Sequence, residues 1–207
     1  MALPKPGRIV IISSPSGGGK TSICRRLLTP ARKREGWSFS VSYTTRAKRV
    51  GERNGREYVF VDEPRFDRLV GENFFAEHFR VHLYKYGTPR KPLEEIRRRG
   101  GTMVLDVDVN GAFRLLKEYP DAITIFVLPP SITALRNRLR QRGTETKEQL
   151  RVRFENAKIE MKLYDRFEYV VINKELDTAV RDVLSIVYSH HCRVNHLCME
   201  QIRRIVG

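Results

Sequence analysis

Cysteine is scarce. Cys24, Cys192 and Cys198 are the three in a chain of 207 residues, an odd and sparse set that does not read as a disulfide framework. A reducing cytoplasm is the expected compartment. No apolar run approaches the length of a membrane span, and the opening MALPKPG lacks the apolar stretch of a secretory signal. No membrane partner is expected. No internal repeat and no low-complexity segment appear. Acidic residues are the other shortage: 24 Asp and Glu against 39 Lys and Arg leave a formal charge of +15. Such a charge attracts phosphate backbones without sequence preference. The arginines are spread along the whole chain, however, with no basic tail and no aromatic-interleaved module of the RNA-binding type. The solvated surface of an enzyme whose substrates are polyanions accounts for the charge better, and nucleic acid is not the expected partner.

Hydrophobic residues at 41% suffice for a buried core, and the length suits one α/β domain with insertions or two small domains. The chain is organised around RIVIISSPSGGGKTSICRRLL, Arg8 to Leu28. Ile9 to Ile12 form a buried-strand run, which ends in a loop of Ser, Pro and Gly opening onto a helix near Lys20. That order is the context of a phosphate-binding P-loop. Gly17, Gly18 and Gly19 let the backbone turn tightly and point N–H groups at an anion, and the helix N-terminus adds partial positive charge. Lys20 reaches the β- and γ-phosphates in such a loop, and the Thr21 hydroxyl ligates Mg²⁺. Ser14 stands where the strict pattern has glycine. Ser14, Pro15, Ser16, the three glycines, Lys20, Thr21 and Ser22 are the expected ATP-binding stretch.

Trp37 to Ser42 alternates well enough for a strand. A polar, Arg-rich loop then leads to a short strand at Tyr58–Val61. Arg46 and Arg49 in that loop offer guanidinium forks suited to phosphate, and Tyr58 a further donor. Asp62-Glu63-Pro64 starts a helix, FDRLVGENFFAEHF runs from that helix into an apolar segment, and a short strand lies near Phe79–Leu83. Pro89 and Pro92 fit the first turn of a helix ending at Gly100-Gly101. MVLDVDVNG is a second buried strand with Asp106 and Asp108 near its C-terminal edge, where α/β sheets place ligands. An Asp at that place supports Mg²⁺ in P-loop enzymes. AITIFVLPP and Tyr169–Ile172 are further strands, and Leu176 onward is an amphipathic closing helix.

Between these last strands, two helices broken at Gly143 carry Arg138, Arg142 and Arg153. A hinged, Arg-rich helical pair suits a lid over phosphates. Strands alternating with helices predict an α/β fold with a mostly parallel sheet. Residues 38–100 interrupt the rhythm and read as an inserted domain. His190, His191, Cys192, His196 and Cys198 are crowded together near the end, with Cys192 and His196 on one helical face. That spacing is a zinc half-site or an incidental feature of a closing helix.

Over nearly its whole length the chain resembles the guanylate kinase family. The resemblance is carried in order by SSPSGGGKTS, FSVSYTTRAKRVGERNGREYVFV, FFAEH, YGTPR, LDVDVNGA, FVLPPS and RQRGTET. It implies a P-loop three-layer core at 1–37, 101–137 and 164–207, a GMP-binding domain at 38–100 and a lid at 138–163. The implied reaction is Mg²⁺-dependent transfer of the ATP γ-phosphoryl group to GMP or dGMP, giving ADP and GDP. Carried over by residue, Arg46, Arg49, Tyr58 and Tyr86 hold the GMP phosphate, and Ser42, Glu77 and Thr88 read guanine. Asp106 and Asp108 lie between the two nucleotides. Arg142 and Arg153 act with Lys20 on the transferred group, and Asn173 lies near the adenine. Thr88 stands where Ser is usual, Lys85 where an aromatic residue is common, Asn110 for Gln and Lys174 for Asp. A catalytically silent interaction module of the same fold and a sugar-phosphate kinase are the alternatives. An intact Lys20-Thr21 argues against the first and a guanine reader against the second.

Overall fold

The computed structural model describes residues 7–49, 51–81, 83–141, 147–193 and 199–206. In chain order the elements begin with β1 (Arg8–Ser13), α1 (Lys20–Leu27), α2 (Pro30–Arg34), β2 (Trp37–Phe39), β3 (Tyr43–Thr44) and β4 (Val59–Phe60). They continue with α3 (Glu63–Gly71), β5 (Phe75–Val81), β6 (Tyr84–Pro89), α4 (Arg90–Arg99), β7 (Thr102–Asp106) and α5 (Val109–Glu118). The last are β8 (Ile123–Leu128), α6 (Ile132–Arg140), α7 (Lys147–Met161), β9 (Tyr169–Ile172), α8 (Leu176–Ser189) and α9 (Met199–Val206).

All six residues of β1 are buried, because helices cover both faces of the sheet it occupies and leave no polar side to alternate with. Successive side chains still point to opposite faces. Val10 and Ile12 pack with Ile23, Cys24 and Leu27 of α1 and with Val180, Val183 and Val187 of α8. Ile9 and Ile11 pack on the other side with Leu93 of α4, Ala112 and Leu115 of α5, and Phe126 and Phe167. The sheet is five-stranded in the order β2-β7-β1-β8-β9, and every pairing in it is parallel. This is the α/β three-layer arrangement that the alternating pattern predicts. The strands of both halves end at the edge where the loop after β1 lies, which fixes the site at the C-terminal edge of the sheet.

A second sheet, in the order β4-β3-β6-β5, stands apart from the first. Its β5 and β6 are an antiparallel hairpin with register pairs such as Glu77↔Thr88 and Phe79↔Tyr86. Two expectations shift here. The strand expected over Trp37 to Ser42 is confined to β2, which pairs with β7 in the core, and β3 begins beyond it at Tyr43 and pairs with β6 in the small sheet. The apolar segment and the short strand expected near Phe79–Leu83 are one strand, β5, from Phe75 to Val81, and YKYGTP is its partner strand, β6. Helix α4 starts at Arg90 after Pro89 and ends at Gly100 in the left-handed region (φ 80). Its Leu93 belongs to the core cluster on one face of the five-stranded sheet.

Helices α6 and α7 pack on each other through Leu135, Leu139 and Ala157, a small cluster separate from the two flanking the sheet. The expected break at Gly143 lies outside the described residues. Among the described residues no helix is long and apolar enough to cross a membrane.

Candidate active site

The loop between β1 and α1 is built from backbone constraints. Gly17 (φ 88) and Gly19 (φ 97) lie in the left-handed region, where only glycine is unstrained. Gly18 passes so close to Ser14 that a Cβ on it would sit 2.8 Å from the Ser14 Cβ. Ser14 itself is buried and its hydroxyl donates to the Pro15 carbonyl at 2.9 Å. A serine therefore fits at this position without opening the turn. The Gly18 carbonyl accepts from Asn173 Nδ2 at 3.0 Å and from Arg138 Nη1 at 3.2 Å. Arg138 Nη2 also donates to the Asn173 carbonyl at 2.7 Å. Two donors thus hold that carbonyl, while the Gly18 N–H donates to the Pro15 carbonyl at 2.9 Å and closes the turn. Helix α1 begins at Lys20 with no side-chain cap, so its N-terminal amides are available to an anion.

Lys20 and Thr21, the first two residues of α1, both meet Asp106 at the end of β7. Lys20 Nζ lies 2.9 Å from Asp106 Oδ1, and the Thr21 hydroxyl donates to Oδ2 at 2.6 Å. β1 and β7 are adjacent and in register, with Ile12 opposite Asp106, so sheet pairing delivers the carboxylate to the loop. Burial works against the charge on Lys20, but Asp106 outweighs it and holds the ammonium above the ordinary lysine value. Ser22 is exposed.

Across from this triad, a cavity of about 190 Å³ is lined by Ser42, Tyr58, Glu77, Phe79 and Tyr86 of the small sheet's side and by Lys20, Asp106 and Asp108. Glu77 and Thr88 are buried, at 6% and 0% exposure, and the Thr88 hydroxyl donates to Glu77 Oε1 at 2.6 Å. Glu77 Oε2 is buried with no hydrogen-bond partner among the described residues. Burial pushes the Glu77 carboxyl up to about 7; the Thr88 bond pulls against that and Asp108 adds to it. Tyr58 and Tyr86 meet edge to face, 5.9 Å between centroids.

Arg46 is buried beside them, its guanidinium 5.5 Å from the Tyr58 ring and bonded twice to Glu52, at 2.8 and 3.1 Å. Glu52 also accepts from the Arg49 backbone N–H at 2.8 Å, while the Arg49 side chain is exposed. Lys85 points away, paired with Asp67 at 2.7 Å and Glu63 at 3.3 Å. Asp108 caps α5 by accepting from Gly111 N at 2.7 Å, and burial lifts its carboxyl above the usual range.

From the helical pair, Arg153 Nη2 donates to the Ser16 hydroxyl at 2.7 Å, and Glu160 Oε2 accepts from the Ser16 N–H at 3.0 Å. Arg142 lies outside the described residues. The structure thus brings together Lys20, Thr21, Asp106, Asp108, Ser42, Tyr58, Glu77, Tyr86 and Thr88, with Arg46 adjoining and Arg153 above the loop. Sequence reasoning missed Glu52, Phe79 and Glu160. The one signal for Glu160 was its place seven residues after Arg153 in a helical stretch. In the crowded C-terminal cluster, buried His190 bonds to the Tyr169 hydroxyl at 2.9 Å and Cys192 is exposed. His196 and Cys198 lie outside the described residues.

The family model described as guanylate kinase matches residues 6–190. The chain belongs to the guanylate kinase family. Among its relatives, the guanylate kinase of Thermotoga maritima is 43% identical over 91% of this chain and 89% of its own length. That of Caldanaerobacter subterraneus subsp. tengcongensis is 38% identical over 94% and 93%. The crystal structure of guanylate kinase from Anaplasma phagocytophilum superposes with a TM-score of 0.78 at 29% identity, covering 96% of this chain and 94% of that one. For a member of the guanylate kinase family, the residues left unexplained by the loop alone fall on the small sheet, where Glu77 and Thr88 form a buried polar pair.

Proposed function

We propose that the chain transfers the γ-phosphoryl group of ATP to GMP or dGMP, giving ADP and GDP, in the cytoplasm. The observation that carries the substrate is Glu77, a buried carboxylate with one oxygen bonded to Thr88 and the other unpartnered among the described residues, lining the cavity. Guanine presents N1–H and an exocyclic amine as donors, which suit that carboxylate, and O6 as an acceptor, which the Thr88 hydroxyl meets by turning its single proton away from Glu77 Oε1. Adenine inverts the pattern and leaves Glu77 facing an acceptor. A buried polar mismatch of this kind discriminates strongly, on the order of 10⁴-fold in favourable cases.

Tyr58, Tyr86, Arg46 and Arg49 take the GMP phosphate, with Ser42 beside the base. The ATP phosphates lie on residues 14–22. The oxygen donors of Thr21 and Asp106 suit Mg²⁺, which takes oxygen ligands and supplies charge neutralisation between the phosphates. Lys20 and Arg153, with Arg142, stabilise the negative charge spread over the transferred group. No general base is required, because the attacking GMP phosphate is already anionic. The five-stranded sheet and its helices act as the core, the small sheet as the GMP-binding unit, and 138–163 as a lid. The shared grip of Lys20 and Thr21 on Asp106 supports an active kinase over an interaction module.

The test is ADP release with ATP and Mg²⁺ against GMP, dGMP, AMP, CMP, UMP and ribose phosphate. Turnover on GMP with AMP lower by orders of magnitude is expected. Turnover only on ribose phosphate would discard the base reader. Silence from folded, ATP-binding protein would point to the interaction module.

A further inference from the structure

One helix holds Ser16 from two sides. Glu160 accepts from its backbone N–H and Arg153 donates to its hydroxyl. The two are seven residues apart on α7, close to two helical turns, so they project from one face. The apolar contacts of α7 run to α6: Ala157 is buried against Leu135 and Leu139, with Leu150, Phe154 and Met161 packed around them. That cluster is separate from the two that flank the central sheet; its Leu135 and Leu139 lie against Gly17, and Arg138 bonds the Gly18 carbonyl, so the loop's contacts there are with α6. The polar pair at Ser16 adds a direct connection from α7 itself to the loop.

We propose that Glu160 is a positioning residue that sets the register of α7 on the phosphate loop and thereby places Arg153 over the group being transferred. The inference rests on the reading of Arg153 given above. A long arginine side chain reaches many positions, and ordering it costs rotamer entropy. A second contact two turns away removes much of that freedom by fixing the helix that carries it. The contact is well suited to the task. A carboxylate bond to a backbone N–H is charge-assisted, and it reads the path of the loop rather than any one side chain. Glu160 also faces Lys20 of α1 and Asp108 at the start of α5, as well as Arg153 on its own helix. Burial and Asp108 raise its carboxyl, while the Ser16 N–H, Lys20 and Arg153 favour the anion.

The experiment is a mutant cycle read as kcat and KM for ATP and GMP: wild type, Glu160→Ala, Glu160→Gln, Arg153→Ala and Glu160→Ala with Arg153→Ala. Misplacing a catalytic group by about 1 Å lowers rates by up to roughly a hundredfold, so Glu160→Ala is expected to lower kcat roughly ten- to a hundredfold. Glu160→Gln keeps an acceptor for the Ser16 N–H and retains most of kcat. In the Arg153→Ala background, Glu160→Ala adds less than about a twofold loss, because the arginine it positions is gone.

Unchanged kcat in Glu160→Ala overturns the inference, as does an equal loss from that change with and without Arg153. A Glu160→Gln variant as damaged as Glu160→Ala also overturns it. If Arg153→Ala keeps full kcat, the reading of Arg153 fails and this inference with it. An impaired Arg153→Ala beside a normal Glu160→Ala overturns this inference alone. Should Glu160→Ala not fold, Glu160→Asp, which withdraws the carboxylate by one methylene, takes its place in the cycle.

Discussion

Glu77 shows how one side chain can be tuned by where a strand puts it. Facing Thr88 across the hairpin and shut off from water, it holds its proton to about 7. The protonated form has lost an acceptor that guanine needs, so kcat/KM for GMP is expected to rise with pH through a midpoint near 7. The same shift carries a stability consequence. An unfolded glutamate releases its proton near the ordinary value of 4.5, so between about 4.5 and about 7 the folded state binds more protons. Stability contributed by the neutral carboxyl is present below that window and is lost as pH rises through it. Glu77→Gln should flatten both dependences, measured by pH profiles of kcat/KM and of urea midpoints. A wild-type kcat/KM profile without an inflection near neutrality would remove Glu77 from base recognition.

The phosphate loop is the element on which the site turns, and its shape is held by contacts as well as by glycine. Gly19 has φ 97, and a Cβ there would lie 2.3 Å from Asn173 Nδ2. Gly19→Ala therefore combines strain of about 1–3 kcal/mol with displacement of the amide that holds the Gly18 carbonyl. Weaker ATP binding with GMP affinity intact is expected, read by separate titrations of the two nucleotides. ATP affinity equal to wild type would show that the loop does not depend on that amide. Other elements were harder to anticipate. The alternation in FFAEHF and YKYGTP is short, and Gly87 and Pro89 weaken a strand signal. What makes these stretches strands is their pairing with each other and, through β6, with β3. Local propensity carries little of that information.

At the scale of the whole molecule, the basic excess is spread over surfaces rather than gathered at the site. The triple Arg97, Arg98 and Arg99 ends α4, and Arg32, Lys33 and Arg34 end α2, where cations complement helix C-termini. Binding to duplex DNA should therefore be weak and of purely electrostatic origin. Retardation seen at about 50 mM salt is expected to vanish by about 200 mM, since contacts of this kind lose several orders of magnitude in affinity over that range. A complex that survives the higher salt would indicate a nucleic-acid partner.

The order of strand, glycine loop and helix, the four apolar core strands and the acids at the C-terminal end of β7 follow from runs of a few neighbouring residues, where periodicity and turn chemistry act locally. The seven short motifs also sufficed to place the chain in its family. Tertiary structure decided what depends on distant segments meeting. Glu160 reaches Ser16 across 144 residues and Asn173 reaches Gly18 across 155. Glu52 occupies Arg46, β2 pairs with β7 in the core sheet, and the polar pair of Glu77 and Thr88 is closed off from water. Nothing in the local pattern marks such partners, because a carboxylate or an amide looks the same in sequence whether it meets solvent or a buried N–H. Chain closure and packing alone select which polar groups lose water and must satisfy one another.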